Sequence, residues 1–265
     1  MFQRLTPMVK NLLIITVAAY FIPSLLGMKN INLFLGLWHL ESPNFMPYQL
    51  FTYMFAHGGF MHILFNMMGL MFLGPLLEQF WGPKRFLTFY LITGIGAGLF
   101  YEGVKYSQTI PMKNKMEEYA QNPNPDDFAI FVSKYSPQYY NQVYDFIQYF
   151  NENEHDKKAQ KQSISYLNDI YSLKINIPMV GASGAIYGIL MAFGMLFPNT
   201  QLMLLFPPIP IKAKYLVVIL GGMAIYSEFG HRSGGDNVAH LAHLGGMVFA
   251  FIMIKLWSKQ RNNFY

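Results

Sequence analysis

The chain has 265 residues, 53% of them hydrophobic and only 12% charged, with no cysteine and a net charge of +5. Soluble domains carry roughly 25% charged residues, so the composition points to a membrane protein, and the missing cysteines exclude disulfides and thiolate chemistry. The basic residues flank apolar spans, so the positive balance reads as membrane topology, and nucleic-acid binding has no support.

Six stretches are long and apolar enough to approach the roughly 20 residues a bilayer crossing needs: 10–28, 56–80, 86–106, 180–198, 214–230 and 237–257. The first follows Arg4 and Lys10 and ends "PSLLGM". That end lacks an A-x-A cleavage pattern, so the span reads as a retained helix. Lysines and arginines collect on the cytoplasmic side of membrane proteins. Lys84 and Arg85 lie between spans two and three, Lys212 and Lys214 before span five, and Lys255, Lys259 and Arg261 after span six. With Arg4 and Lys10 they all fall on one side, which predicts two cytoplasmic termini. The other links carry Lys29, Glu41, Glu228, Arg232 and Asp236, with no comparable basic excess. The pattern fits a bacterial inner membrane.

The third link, 107–177, has another composition, with seven lysines, nine acids and the acidic run "NPNPDDF". It is too polar to span. Its apolar residues recur at irregular helical spacing, which predicts short amphipathic helices in an outer-side insertion. The chain thus divides into spans one to three (1–106), the insertion (107–177), spans four to six (178–258) and a cytoplasmic tail (259–265). The fold class is an all-α membrane protein with a six-helix bundle.

Polar groups at membrane depth cost free energy and default to a functional hypothesis. Span two opens on "HGGFMHILFN", with His57, His62 and Asn66; His62 and Asn66 are four apart and share a helix face. Span four opens on "GASGAIYG", where Ser183 and Tyr187 are also four apart, and span six contains "NVAHLAHLGG", with His240 and His243. Spans two, four and six run inward from the outer surface, so the three clusters fall at similar depth. Together they permit acyl transfer. A serine hydroxyl needs a positioned base, for which histidine is suited. The oxyanion needs donors such as the free amides at a helix start or an Asn or His side chain. An intramembrane aspartate beside the histidines is missing, so the sequence offers a Ser–His pair without a third acid. Small residues let membrane helices approach closely. Gly181, Gly184 and Gly246 would bring spans four and six near enough for a Ser–His hydrogen bond of about 3 Å.

These motifs resemble the rhomboid intramembrane serine proteases. "HGGFMHILFNM", "GASGAIYG" (as G-x-S-G) and "AHLGG" (as A-H-x-x-G) occur in the family's order and sidedness. The likeness covers about 1–106 and 178–258, not the insertion. It implies Ser183 as nucleophile, His243 as general base, His62 and Asn66 as oxyanion-stabilising groups, and Tyr187 as the aromatic packed on the catalytic histidine. Glu78 matches a structural acid position. His240 also follows an alanine but lacks the glycine three residues later that, with Ala242, singles out His243. The family's Trp-Arg pair in the first outer loop is absent, since Trp38 is followed by His39. The implied partners are the lipid bilayer and single-span membrane substrates, with no metal, nucleotide or other cofactor.

Blander readings stand beside these. A G-x-S-G by itself is more often a packing site, and His57 and His240 suit structural roles. Two histidines three apart suit a metal site, which would make a metal-dependent membrane protein. "TGIGAGLF" in span three reads as helix packing, and the methionine-rich face "FNMMGLMF" as lipid-facing surface. An inactive rhomboid-like protein that binds client helices is a further alternative.

Overall fold

A computed structural model describes residues 5–28, 30–203, 208–230 and 240–261. Arg4, Lys29, Arg232 and Asp236, and residues 237–239 of span six, lie outside the described residues. In chain order the elements are α1 (Pro7–Leu25), α2 (Ile31–Leu35), α3 (Gln49–Thr52) with a 3-10 turn at Tyr53–Phe55, α4 (Phe60–Trp81) and α5 (Pro83–Gln121). Then come α6 (Pro125–Tyr135), a 3-10 turn at Pro137–Gln142, α7 (Tyr144–Glu152), α8 (Lys157–Ile175) and α9 (Ser183–Leu196). A hairpin of β1 (Gln201–Met203) and β2 (Pro210–Lys212) leads to α10 (Ala213–Gly230) and α11 (His240–Arg261). The chain forms two compact units. One holds Met1–Leu37, Met46–Glu102 and Pro178–Tyr265, the other Trp38–Phe45 and Gly103–Ile177.

In the first unit, α1, α4, α5 and α11 each contain a segment long and apolar enough to cross a membrane. The 14-residue α9 is apolar but shorter. α9 packs against α4, α10 and α11 and buries Gly184, Ala185, Gly188, Ile189, Leu190, Ala192, Phe193 and Gly194. α5 joins the same core, since a side chain at Gly188 would meet Thr93, and one at Gly184 would meet Ala97. Gly82, at φ +79, makes the one-residue turn from α4 to α5. Near that turn Glu78, 2% exposed, serves another helix. It accepts from the Thr6 hydroxyl (2.5 Å) and from the amides of Met8 (3.0 Å) and Val9 (2.9 Å), donors the first turn of α1 cannot satisfy internally.

The second unit has its own apolar core, including Phe128, Val132, Phe150 and Leu167. Two of its helices, α6 and α8, start where the sequence supplies caps. The Asn124 side chain accepts from the Asp127 amide (2.9 Å) ahead of α6, and Asp156 accepts from the Lys158 amide (2.8 Å) ahead of α8. Segment 38–45 is tied to α5 and α8. Glu41 accepts from Lys113 (2.7 Å) and from the Tyr171 hydroxyl, Ser42 donates to Asn176 (2.7 Å), and His39 meets Thr109 (3.1 Å).

Several expected boundaries move. Span three, drawn as 86–106, is the start of a 39-residue helix ending at Gln121. "KNKMEEYAQ" is rich in helix formers, so the helix runs on past the internal Pro111 and stops just ahead of Pro123, which disfavours the helical conformation of the residue before it. Span four, drawn from 180, becomes helical at Ser183. The polar segment holds one long helix, α8, of 19 residues, besides shorter ones. The first outer link, drawn as plain loop, carries α2, α3 and a 3-10 turn.

Candidate active site

Ser183 is the first residue of α9, and the N-cap residue Ala182 offers no side-chain cap, so the opening amides of this helix are free of one. The extended chain leading to it is pinned twice. Leu37 and Met179 exchange two backbone hydrogen bonds of 2.8 Å, and the Gly181 amide donates to the Tyr53 carbonyl at 2.9 Å. Gly181 has φ +124, a backbone region in which L side chains are strained. Tyr53 is 1% exposed, and its hydroxyl donates to the Gly94 carbonyl of α5 at 2.6 Å.

His243 stands one turn into α11, and its Nε2 lies 2.8 Å from Ser183 Oγ. The separation depends on backbones in near contact. A Cβ built at Gly246 would fall on the Gly184 carbonyl oxygen. Tyr187 follows Ser183 by one helical turn and stacks flat on the His243 ring, with centroids 4.1 Å apart and planes 4° from parallel. Ser183 is half-buried and His243 buried. No described residue bonds His243 Nδ1. An imidazole that accepts the serine proton at Nε2 carries its own on Nδ1.

His62 approaches from α4. Its Nδ1 accepts from the Gly58 amide at a long 3.5 Å, which leaves the ring proton on Nε2. That nitrogen lies against Gly181. A Cβ there would sit 2.6 Å from His62 Nε2 and 3.7 Å from Ser183 Oγ. Glycine at 181 thus serves both the left-handed turn and the approach of the ring. Asn66, 5% exposed, joins the group through His62, donating from Nδ2 to the His62 carbonyl at 3.0 Å. An amide has two N–H groups, so one stays free.

The structure therefore gathers Ser183, His243, Tyr187, His62, Gly181, Gly184 and Gly246 in one place, with Asn66 behind His62. His240 sets its ring edge-on to His243, with centroids 5.8 Å apart, and His57 sits edge-on to His62. Among the described residues, no group of three or more His, Cys, Asp and Glu side chains could hold a metal ion. Sequence reasoning missed Leu37 and Tyr53, which hold the approach to Ser183. The available signal was a phenol in the apolar run "FTYMF", because a buried tyrosine hydroxyl seeks a partner. A hydroxyl bonded to an imidazole, beside a second imidazole and uncapped helix amides, is an arrangement suited to acyl transfer.

Comparison with known proteins bears on the whole chain. Residues 44–111 and 159–260, well over half of it, match the Rhomboid domain family. A stretch of 52 residues is 40% identical to RHOMBOID-like protein 5 of Arabidopsis thaliana, covering 20% of this chain and 17% of that protein. RHOMBOID-like protein 1 of the same plant is 42% identical over 52 residues, 20% of this chain and 13% of the relative. Both relatives are plant proteins and give the expected bacterial origin no support. The family match spans the motifs around His62, Ser183 and His243 together with the apolar helices that carry them, and the chain is accordingly a membrane protein of the rhomboid family.

Proposed function

We propose that this chain is an intramembrane serine endopeptidase that cleaves single-span membrane proteins near the outer end of their transmembrane helix, with Ser183 as nucleophile and His243 as general base. The 2.8 Å separation between Ser183 Oγ and His243 Nε2 carries the reading. Six helices, α1, α4, α5, α9, α10 and α11, form the membrane bundle, with both termini on the cytoplasmic face and 107–177 as an extracytoplasmic insertion. At 14 residues, α9 is about 21 Å long in a hydrocarbon layer of about 30 Å. Ser183 then lies beneath the outer headgroups, reached by non-helical chain. Such chain is tolerated at that depth only when its backbone is satisfied by protein, as the bonds to Leu37 and Tyr53 satisfy it.

A substrate helix enters laterally and unwinds at its outer end, since helical hydrogen bonds hide its carbonyls. His243 Nε2 takes the Ser183 proton while Oγ attacks the exposed carbonyl carbon. The oxyanion is met by the Ser183 amide, the His62 Nε2–H and the free Asn66 N–H. His243 hands its proton to the leaving amine, and the C–N bond breaks. Water entering from the outer side then attacks the acyl-enzyme, its proton passing through His243 back to Ser183. Tyr187, stacked on the imidazole, limits rotation of the base.

The test is labelling of the purified full chain by a serine-directed fluorophosphonate. Labelling of the wild type that disappears in Ser183→Ala and His243→Ala is the expected result. An unlabelled wild type would overturn it in favour of an inactive, client-binding protein.

A further inference from the structure

The end of the bundle remote from Ser183 carries a cluster that the steps above do not use. Trp257 on α11 meets Trp81 at the end of α4, with centroids 5.3 Å apart and planes at 87°, and Phe89 of α5 at 6.0 Å. The Arg85 guanidinium lies over the Trp257 ring, 4.1 Å from its centroid. Along α11, Trp257 stands about 21 Å from His243, so the cluster falls near the opposite headgroup level of a hydrocarbon layer of about 30 Å. Indoles favour that level.

Basic residues are expected on this side, but that rule does not say what their donors meet. Lys84 and Arg85 are exposed, and neither makes an ion pair among the described residues. Glu78, the nearest acid in sequence, is committed to α1. The first turn of α5 has no acid, so nothing within the helix offsets two cations that its dipole disfavours there. A guanidinium stacked on an indole keeps its N–H donors at its rim, where a phosphate takes two of them side by side. What continues from Arg85 is apolar. Ile92 and Leu99 follow it at seven-residue steps, which places them on its face of α5, and they are 42% and 50% exposed. The stripe extends about 21 Å from Arg85, enough for one leaflet of about 15 Å. Beside it α5 packs on α11, since a Cβ at Gly96 would meet the Phe249 ring and one at Gly245 would meet Phe100. Cations at the headgroup level, with an uncovered apolar stripe of acyl-chain length leading from them, fit a phospholipid and not a soluble anion.

We propose that Arg85, steadied by the Trp257 ring, binds with Lys84 the phosphate of an anionic phospholipid in the leaflet remote from Ser183, an acyl chain lying along Ile92 and Leu99. The site is independent of the protease reading, and an unreactive Ser183 would leave it standing.

The experiment is tryptophan quenching in the full chain, reconstituted in phosphatidylcholine vesicles that contain an equal small share of either phosphatidylglycerol or phosphatidylcholine brominated on the acyl chain. Of the three tryptophans, Trp81 and Trp257 lie in the cluster, while Trp38 belongs to the second unit. The brominated phosphatidylglycerol is expected to quench as a ligand bound about 5- to 30-fold more tightly than its phosphatidylcholine counterpart, the preference that one or two cations give for anionic lipid. Arg85→Gln is expected to remove at least about fivefold of that preference. Lys255→Gln lies two residues from Trp257, hence across α11 from it, and is expected to change the preference less than about twofold. A wild type without preference would overturn the proposal, and so would equal losses in the two variants, which mark diffuse surface charge. Relief of the quenching by millimolar glycerol phosphate would overturn it in favour of a soluble anion. Native mass spectrometry of the detergent-purified wild type needs no variant. Offered both lipids in equal amounts, the chain is expected to retain phosphatidylglycerol, and equal retention of the two overturns the assignment.

Discussion

In the proposed mechanism Tyr187 and Asn66 act on Ser183 and His243 by different physics, and substitution separates them. Tyr187 contributes a ring face to His243. Tyr187→Phe keeps that face and is expected to leave turnover within about twofold, while Tyr187→Ala forfeits a ring contact of about 0.5–1.5 kcal/mol and lets the base rotate. Comparing the two variants for kcat on any cleaved membrane substrate checks this, and equal losses would show that the hydroxyl matters. In the proposed mechanism Asn66 offers a donor to developing negative charge. Asn66→Ala is expected to lower kcat about 100-fold, the usual effect of one oxyanion donor, with KM nearly unchanged. A rise in KM at constant kcat would place Asn66 in substrate binding. At this scale the motifs were legible, since i, i+4 spacing placed His62 with Asn66 and Ser183 with Tyr187. Tyr53 was not, because its bonds run to Gly94 and Gly181, across distances in sequence that leave no local pattern.

At the scale of elements, the contact of α9 with α11 sets the Ser183–His243 distance. A methyl group at Gly246 would meet the Gly184 carbonyl, which is backbone and cannot turn aside. Gly246→Ala is therefore expected to cost about 1–3 kcal/mol by overpacking and to abolish Ser183 labelling as the helices part. Gly222→Ala on α10, where a Cβ meets nothing within 4 Å, should label normally and melt no lower. Thermal melting and labelling of the two variants check the pair. Hydrophobicity located the apolar helices, but it misjudged two lengths. It stopped span three at 106 because the residues beyond turn polar, although helix propensity there stays high and α5 runs on to Gln121. It began span four at 180 because apolar residues precede Ser183. The helix starts later, since Met179 and Gly181 give their amides to Leu37 and Tyr53.

For the whole molecule, the topology and the acid response of the second unit are open to direct test. The native chain has no cysteine, so single cysteines report sidedness cleanly. In intact cells a membrane-impermeant maleimide is expected to label Asn151→Cys, in the proposed outer insertion, and to reach Ser258→Cys only after permeabilisation; the reverse order would invert the proposed orientation. In the second unit, hydrogen bonds from Lys113 and Tyr171 hold the Glu41 carboxyl below the usual carboxylate range. A group with a depressed folded pKa stabilises fully above its unfolded value of about 4.3, and that contribution is lost as pH falls through the folded value. The protection of amides around Tyr171 in α8, taken relative to the intrinsic exchange rate at each pH, is therefore expected to fall as pH drops below about 4. Glu41→Gln should show low protection at neutral pH and little further loss on acidification, and a wild-type profile in that variant would count against the network. Composition alone determined the solvent, because a chain this apolar and poor in charge must be covered by lipid. Three short motifs carried the resemblance to the rhomboid family. Only the tertiary structure decided which groups touch. Ser183 and His243 are 60 residues apart and Glu41 and Tyr171 are 130 apart, and such pairings rest on helices packing backbone to backbone, which no periodicity along a single chain records.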